Sequence, residues 1–304
     1  MHTTENLHAS GEERKGLWYA LGCYSIWGLF PIYWYPLNQS AIGADQILAQ
    51  RIVWSAIFAL LMLLIFRQTA AVRAAFKQPK VLGLLMLSSF LIGINWLVYL
   101  WAIVNHHVLD ASLGYFINPL FNVLLGGLIF KEPLNRAQKA AVVLAFIGIL
   151  WLALPAGQIP WVALLLAFSF GGYGLIRKLA PMEALPGLAL ETVLIVPFAL
   201  AYLAWCHTQG TLVFGELNNL QISLLLGSGA ITTIPLLFFA ASAKRIPLSL
   251  LGILQYGAPT LQFLIGLTLF GESFDFNRFI GYLWVWAGVA VFLLAGWRAR
   301  KMPV

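Results

Sequence analysis

The stretch LGYFINPLFNVLLGGLIFKEPL, residues 113–134, decides the architecture. It is too apolar for a water-facing surface, yet Asn118, Pro119 and Asn122 stand in its middle. A second stretch, ILQYGAPTLQFLIGLTLFGESF at 253–274, repeats the plan. A shift of 140 residues lays Pro119 on Pro259, Leu124 on Leu264, Gly126 on Gly266, Phe130 on Phe270 and Glu132 on Glu272, with the amide of Asn122 matched by Gln262. The same shift carries Phe58-Ala59-Leu60 onto Phe198-Ala199-Leu200, and Gly148 onto Gly288. Isolated matches in apolar sequence are cheap; one offset running through several segments is not.

Between and around these stretches the chain stays apolar: 61% of its 304 residues are hydrophobic and 10% charged, against about 25% charged in soluble domains. A bilayer core roughly 30 Å thick takes about 20 apolar residues per helix. Ten such spans are predicted, at 17–36, 46–66, 79–104, 110–130, 134–154, 159–176, 182–205, 219–242, 247–270 and 277–297. The ten-residue alternation of a membrane barrel is missing, so the spans are read as helices. The polar segment 1–16 is a tail, and the first span runs past any small-residue cleavage pattern, so it is retained. Cys23 and Cys206 fall in different spans and suggest no disulfide framework.

The net charge of +7 does not point to nucleic acid, because the charge is sorted along the chain. Of the 18 basic residues, 16 fall in every second connection or in the tails, from Arg14 and Lys15 to Arg298, Arg300 and Lys301; the exceptions are Arg51 and Arg278. The positive-inside rule then puts both termini in the cytoplasm. Each repeat holds five spans, an odd number, so the second inserts upside down. The charges agree: Lys131, Arg136 and Lys139 are matched by Gly271, Phe276 and Phe279. The expected fold class is an all-α integral membrane protein of ten transmembrane helices as two inverted five-helix repeats. Its parts are a tail 1–16, repeats 17–155 and 156–297, and a tail 298–304. Inverted repeats are a common plan of secondary transporters, with the site at the midplane between halves; some channels share it.

Several polar residues within spans are candidates for the site. Tyr115, Asn118 and Asn122 share one helix face; Gln255 and Gln262 repeat that spacing. A mid-span proline frees a backbone carbonyl, which must find a partner inside the protein or in a wet cavity. The amides either line such a cavity or tie helices together. Arg51 is costly inside a span: it snorkels outward, pairs with Asp45, or binds a carboxylate or phosphate with its planar fork. Glu191 holds the matching position in the second repeat and is a proton-coupling candidate, a partner for an ammonium group, or a partner of Arg51. Asn95, Trp96 and Tyr99 cluster in the third span and offer stacking or packing surfaces. His106, His107 and Asp110 are a weak metal signal, and no metal is expected; Asp110 or Ser112 is expected to cap the fourth span. No GxxxxGK[ST] loop suggests ATP driving, and no mid-span histidine stands ready to activate Cys23, Ser25 or Ser169 for an enzyme's chemistry.

With these motifs in view, the chain resembles the drug/metabolite transporter superfamily, EamA type, and within it the RarD-like permeases. The resemblance rests on YSIWGLFPIYW (24–34), QRIVWS (50–55), INWLVYLWAIVNHHVLDASLGYFINPL (94–120), FSFGGYGLIRK (168–178) and LALETVLIVPFALAYL (188–203). It implies a ten-helix, exporter-like fold with a central cavity and a bacterial inner-membrane carrier for a small metabolite or drug. The family's naming carries a link to chloramphenicol sensitivity. The expected partners are the lipid bilayer and a small-molecule substrate, amino-acid-like or aromatic and amphipathic, with proton coupling a further possibility and no cofactor. The expected substrate-binding set is Arg51, Asn95, Trp96, Tyr99, Tyr115, Asn118, Glu191 and Gln255. A passive channel, and less so a membrane-embedded enzyme, are the alternatives.

Overall fold

The computed structural model describes residues 2–129, 131, 135–156, 159–243, 245–246 and 254–301. Phe130 and Glu132 of the first repeat motif, and the start of the ninth expected span, lie outside the described residues. Among those described, every regular element is helical. In chain order they are α1 (His2–Gly28), α2 (Phe30–Trp34), a 3₁₀ turn (Tyr35–Gln39), α3 (Ala44–Ile65), α4 (Thr69–Phe76), α5 (Pro79–Val104), α6 (Val108–Ile129), α7 (Arg136–Ala156), α8 (Trp161–Leu179), α9 (Ala184–Thr208), a 3₁₀ turn (Val213–Glu216), α10 (Asn219–Ala243), α11 (Gly257–Thr268) and α12 (Phe276–Lys301). Six stretches are long and apolar enough to cross a membrane: α3, α5, α6, α9, most of α10 and Phe276–Ala295 of α12. Their outward faces carry Leu64, Phe90 and Phe198, each more than 60% exposed. A water-soluble chain does not display apolar surface on that scale.

Two departures from the sequence reading have local causes. The first span is not one rod. Pro31 has no N–H to donate to the Trp27 carbonyl four residues back, and the helix breaks between α1 and α2. The orphaned carbonyl is taken by Gln262 of α11, whose Nε2–H donates to it at 3.0 Å. At its other end α1 runs back to His2 through the expected tail, with Lys15 and Glu12 paired on its surface. The second departure is the cap of α6. Asp110 already lies inside the first turn, where its carboxylate meets His107 Nδ1 at 2.8 Å. The free helix-end N–H groups of Val108 and Leu109 donate instead to Glu272, the Leu109 bond at 3.0 Å. A loop carboxylate remote in sequence thus does the work of an N-cap.

Packing is dominated by helices far apart in sequence: α7 with α12, α6 with α8, α3 with α9, α5 with α8, α3 with α10 and α1 with α10. The most extensive packing is between α7 and α12. A Cβ on Gly148 would stand 2.7 Å from the Gly281 carbonyl, and one on Gly288 would stand 2.7 Å from the Ala141 carbonyl. Small residues there let two backbones touch, as helix association in lipid favours. One apolar core gathers Phe30, Trp34, Ile47, Leu100, Ile103 and Leu166 toward the α5–α6 turn. A second joins α6, α7, α11 and α12 through Leu113, Ile117, Tyr282 and Val285.

Candidate functional site

Between these cores the helices leave a cavity of about 120 Å³. Tyr24 and Trp27 of α1, Phe30 of α2, Arg51 of α3, Ile92, Asn95, Trp96 and Tyr99 of α5 and Tyr115 of α6 line it from the first half of the chain. Phe170 and Tyr173 of α8, Leu188 of α9, Thr232 and Leu236 of α10, and Gln255, Ala258, Pro259 and Gln262 at and beside the start of α11 line it from the second. The wall is mostly aromatic and aliphatic, with a few polar groups set into it, as small-molecule sites are.

Arg51 is the one charged residue in that wall and is 2% exposed. It does not snorkel. Its Nε–H donates to Thr232 Oγ1 at 3.0 Å. Its guanidinium lies 4.3 Å from the centre of a Trp96 ring, with Phe30 and Trp34 rings at 5.7 and 5.8 Å. Stacking on aromatic faces offsets part of the desolvation, by about 2 kcal/mol in a dry setting. Its Nη1 has no hydrogen-bond partner. Asp45, the partner considered from sequence, receives the Tyr202 hydroxyl instead. Tyr24 Oη, Tyr99 Oη and Gln262 Oε1 are likewise buried and unpartnered. Buried polar atoms without partners are rare in folded proteins, and four belong to residues of this one wall.

Asn95 organises the opposite wall. Its Nδ2 donates to the Leu166 carbonyl and to Ser169 Oγ, both at 3.1 Å, while its Oδ1 accepts the Tyr115 hydroxyl at 3.2 Å. α5, α6 and α8 are thereby joined through one amide. Tyr115 comes from the stretch that opened the sequence reading. Asn118, three residues on, points elsewhere: it is fully buried and donates to the Ala167 carbonyl at 3.2 Å while accepting from Asn122 at 3.1 Å. Of the eight residues singled out from sequence, Arg51, Asn95, Trp96, Tyr99, Tyr115 and Gln255 come together around the cavity, and Asn118 and Glu191 do not line it.

Glu191 sits instead behind Tyr173, 1% exposed, in a second polar cluster. It accepts Ser88 Oγ at 2.5 Å and Tyr173 Oη at 3.3 Å, and Arg177 Nη1 stands 3.6 Å away. Arg177 Nη2 also donates to the Glu183 carbonyl at 3.1 Å. The guanidinium passes directly over Gly187, where a Cβ would lie 2.0 Å from Nη1. Tyr173 touches both the cavity and the ion pair. Sequence reasoning missed Ser88, Tyr173, Arg177 and Thr232. Ser88-Ser89 and Thr232-Thr233 were visible as polar pairs within apolar spans, whereas Arg177 was counted among the charges that orient the chain.

Among the described residues no group of three or more His, Cys, Asp or Glu side chains is arranged to hold a metal. His106 contacts Asn38 while His107 contacts Asp110, so the two rings do not converge.

Comparison with known proteins agrees with this architecture. Residues 14–154 match the model of the EamA-like transporter family. Protein RarD of Streptomyces exfoliatus is 44% identical over 285 residues, which cover 94% of this chain and 90% of that protein. The uncharacterized transporter YojE of Bacillus subtilis is 45% identical over 286 residues, covering 92% and 94%. A solved crystal structure superposes with a TM-score of 0.59 at 18% identity, over 92% of this chain and 98% of that one; at that identity the likeness speaks for the fold alone. The chain belongs to the EamA-like transporter family, as a multi-pass membrane transporter of its RarD-like branch.

Proposed function

We propose that the protein is a secondary carrier of the bacterial inner membrane that exports a small amino-acid-like or aromatic, amphipathic metabolite by alternating access around the central cavity. The observation that carries this reading is the composition of the wall: each half of the chain contributes aromatic rings and unpartnered buried polar atoms to one space.

In this reading ten helices form two inverted five-helix repeats, 17–155 and 156–297, with the short tails 1–16 and 298–304 in the cytoplasm. The packing supports it. Exchanging the halves turns α3 against α10 into α9 against α5, α6 against α8 into α11 against α1, and α7 against α12 into itself, and each of these pairs is in contact. The glycine crossing obeys the same exchange, since Gly148 matches Gly288 and Ala141 matches Gly281. A twofold relation between halves with five helices each requires the second to be inverted.

Arg51, Asn95, Trp96, Tyr99, Tyr115 and Gln255 contact the substrate. Asn118 ties α6 to α8. Glu191 closes one mouth through Tyr173 and Arg177, and protonation of its carboxylate weakens that ion pair and lets the mouth open. The test is substrate counterflow in proteoliposomes. A carrier is accelerated by substrate on the far side; flux indifferent to trans substrate would make the protein a channel and end the alternating-access account.

A further inference from the structure

We infer that the ligand of this cavity is an organic monoanion: a carboxylate seated on Arg51, carried by a planar apolar body of about one ring.

Charge balance selects the ligand. Among the described residues Arg51 is the single cation of the wall, and no acidic residue lines it. Among the described residues Arg51 forms no ion pair, its Nε is spent on Thr232, and its Nη1 is unpartnered. A buried guanidinium with a free N–H is costly unless something compensates it. A carboxylate supplies a matching charge and a charge-assisted acceptor for Nη1. An amine would meet Arg51 with like charge and no carboxylate to receive it. A phosphate dianion would bring a second negative charge with no second cation to meet it. The Tyr24 and Tyr99 hydroxyls, both unpartnered, remain as donors for the other lone pairs. Gln262 Oε1 offers an acceptor to a donor group on the ligand's body, because its amide nitrogen is already held by Trp27.

Size and surface set the rest of the ligand. The cavity of about 120 Å³ is comparable to an engineered protein cavity of roughly 150 Å³ that takes a benzene. Its rings, Trp27, Tyr99, Tyr115 and Phe170 among them, offer faces and edges to an aromatic body.

The inference rests on the carrier reading only for what the protein does with the ligand, not for what it binds. The test uses the purified full-length chain in detergent and follows its thermal unfolding with phenylacetate, the neutral phenylacetamide, the cationic phenethylamine, and inorganic phosphate. Phenylacetate is expected to stabilise the wild type while the other three do not. Arg51→Gln is expected to weaken phenylacetate binding by at least about tenfold, the loss of a hydrogen bond to a charged group. Stabilisation by the amide or the amine equal to that by the acid overturns the proposal. So does stabilisation by phosphate alone, by none of the four, or undiminished phenylacetate binding in Arg51→Gln. Should that variant not fold, the wild-type comparison of acid, amide and amine decides alone. Phenylacetate binding without counterflow in proteoliposomes would remove the carrier reading and spare this one; counterflow of the amine with no effect of the acid would do the reverse.

Discussion

Arg51 hydrogen-bonds α10 through Thr232, while Glu191, at the matching place on α9, hydrogen-bonds α5 through Ser88. The two charges stand 140 residues apart, at matching places in the sequence repeat, and each reaches one hydroxyl of the opposite half. Glu191 spends its charge on Arg177, and Arg51 keeps a free donor. One member of the pair faces a cation, and the other faces the cavity with a donor unspent.

Replacing Arg51 by methionine separates stability from function. Methionine fills similar space without a charge to desolvate. An Arg at a span centre costs about 2.5–3.5 kcal/mol on insertion scales and less toward the ends; Arg51 lies between these, in the second turn of α3, so Arg51→Met is expected to keep or raise the melting temperature while abolishing counterflow. A melting temperature well below that of the wild type would mean that Arg51 holds α3 to α10 structurally.

Glu191→Gln keeps the shape and one oxygen acceptor beside Ser88 and Tyr173, turns the other position into an N–H donor, and removes the charge facing Arg177. If the carboxylate carries the coupled proton, the pH dependence of transport flattens. A pH profile unchanged from wild type removes Glu191 from the proton cycle.

Gly187→Ala probes the same ion pair without touching either charge. The new Cβ would occupy the path of Arg177 Nη1. Because that atom is the end of a flexible side chain, the helix survives, and alanine within a helix regains about 0.5–1 kcal/mol over glycine. The expected outcome is a fold of near-normal thermal stability whose pH–transport profile matches that of Glu191→Gln. A wild-type profile would show that the Arg177 pair is not part of the mouth.

At the α7–α12 crossing the obstacle is backbone. Gly148→Ala and Gly288→Ala each set a methyl 2.7 Å from a carbonyl oxygen, and neither helix can yield locally. Each is expected to cost about 1–3 kcal/mol, seen as earlier thermal or denaturant unfolding. The twofold relation makes the two losses similar; a large inequality would argue against it.

Glu272→Ala removes the cap of α6, at a cost of about 0.5–2 kcal/mol by analogy with other caps. The carboxyl also has a pH signature. Partial burial raises its pKa above the usual carboxylate range, and the N–H groups of Leu109 and Val108 only partly offset this. Between the ordinary and the raised value the folded protein holds a proton that the unfolded chain has released. The contribution of this group is therefore complete at low pH and declines as pH rises through the raised value. Unfolding measured across that interval is expected to lose this component in Glu272→Gln.

How much of this was legible in the sequence depends on how local each cause is. Helix positions were legible, because twenty-residue apolar runs have one use; α5 and α10 begin where the spans were predicted, at Pro79 and Asn219. The short α4 was not, since Thr69–Phe76 is amphipathic and too brief for a span. The break at Pro31 was latent in the absent N–H, but not that a glutamine from α11 would answer it. The α6 cap is expected from Asp110 or Ser112 because a cap is normally sought beside its helix; the chain brings it from Glu272. Arg51 and Glu191 stood out as charges in lipid, yet their separate partners, Thr232 and Arg177, follow only from how α3, α8, α9 and α10 are stacked.

The double contact of Gly148 with the Gly281 carbonyl and of Gly288 with the Ala141 carbonyl has a mechanical consequence. Two backbone touch points along one crossing resist both sliding and rotation, so α7 and α12 behave as a single strut. In the proposed alternation of the two halves, a hinge built on that strut would leave the largest travel to the helices farthest from it.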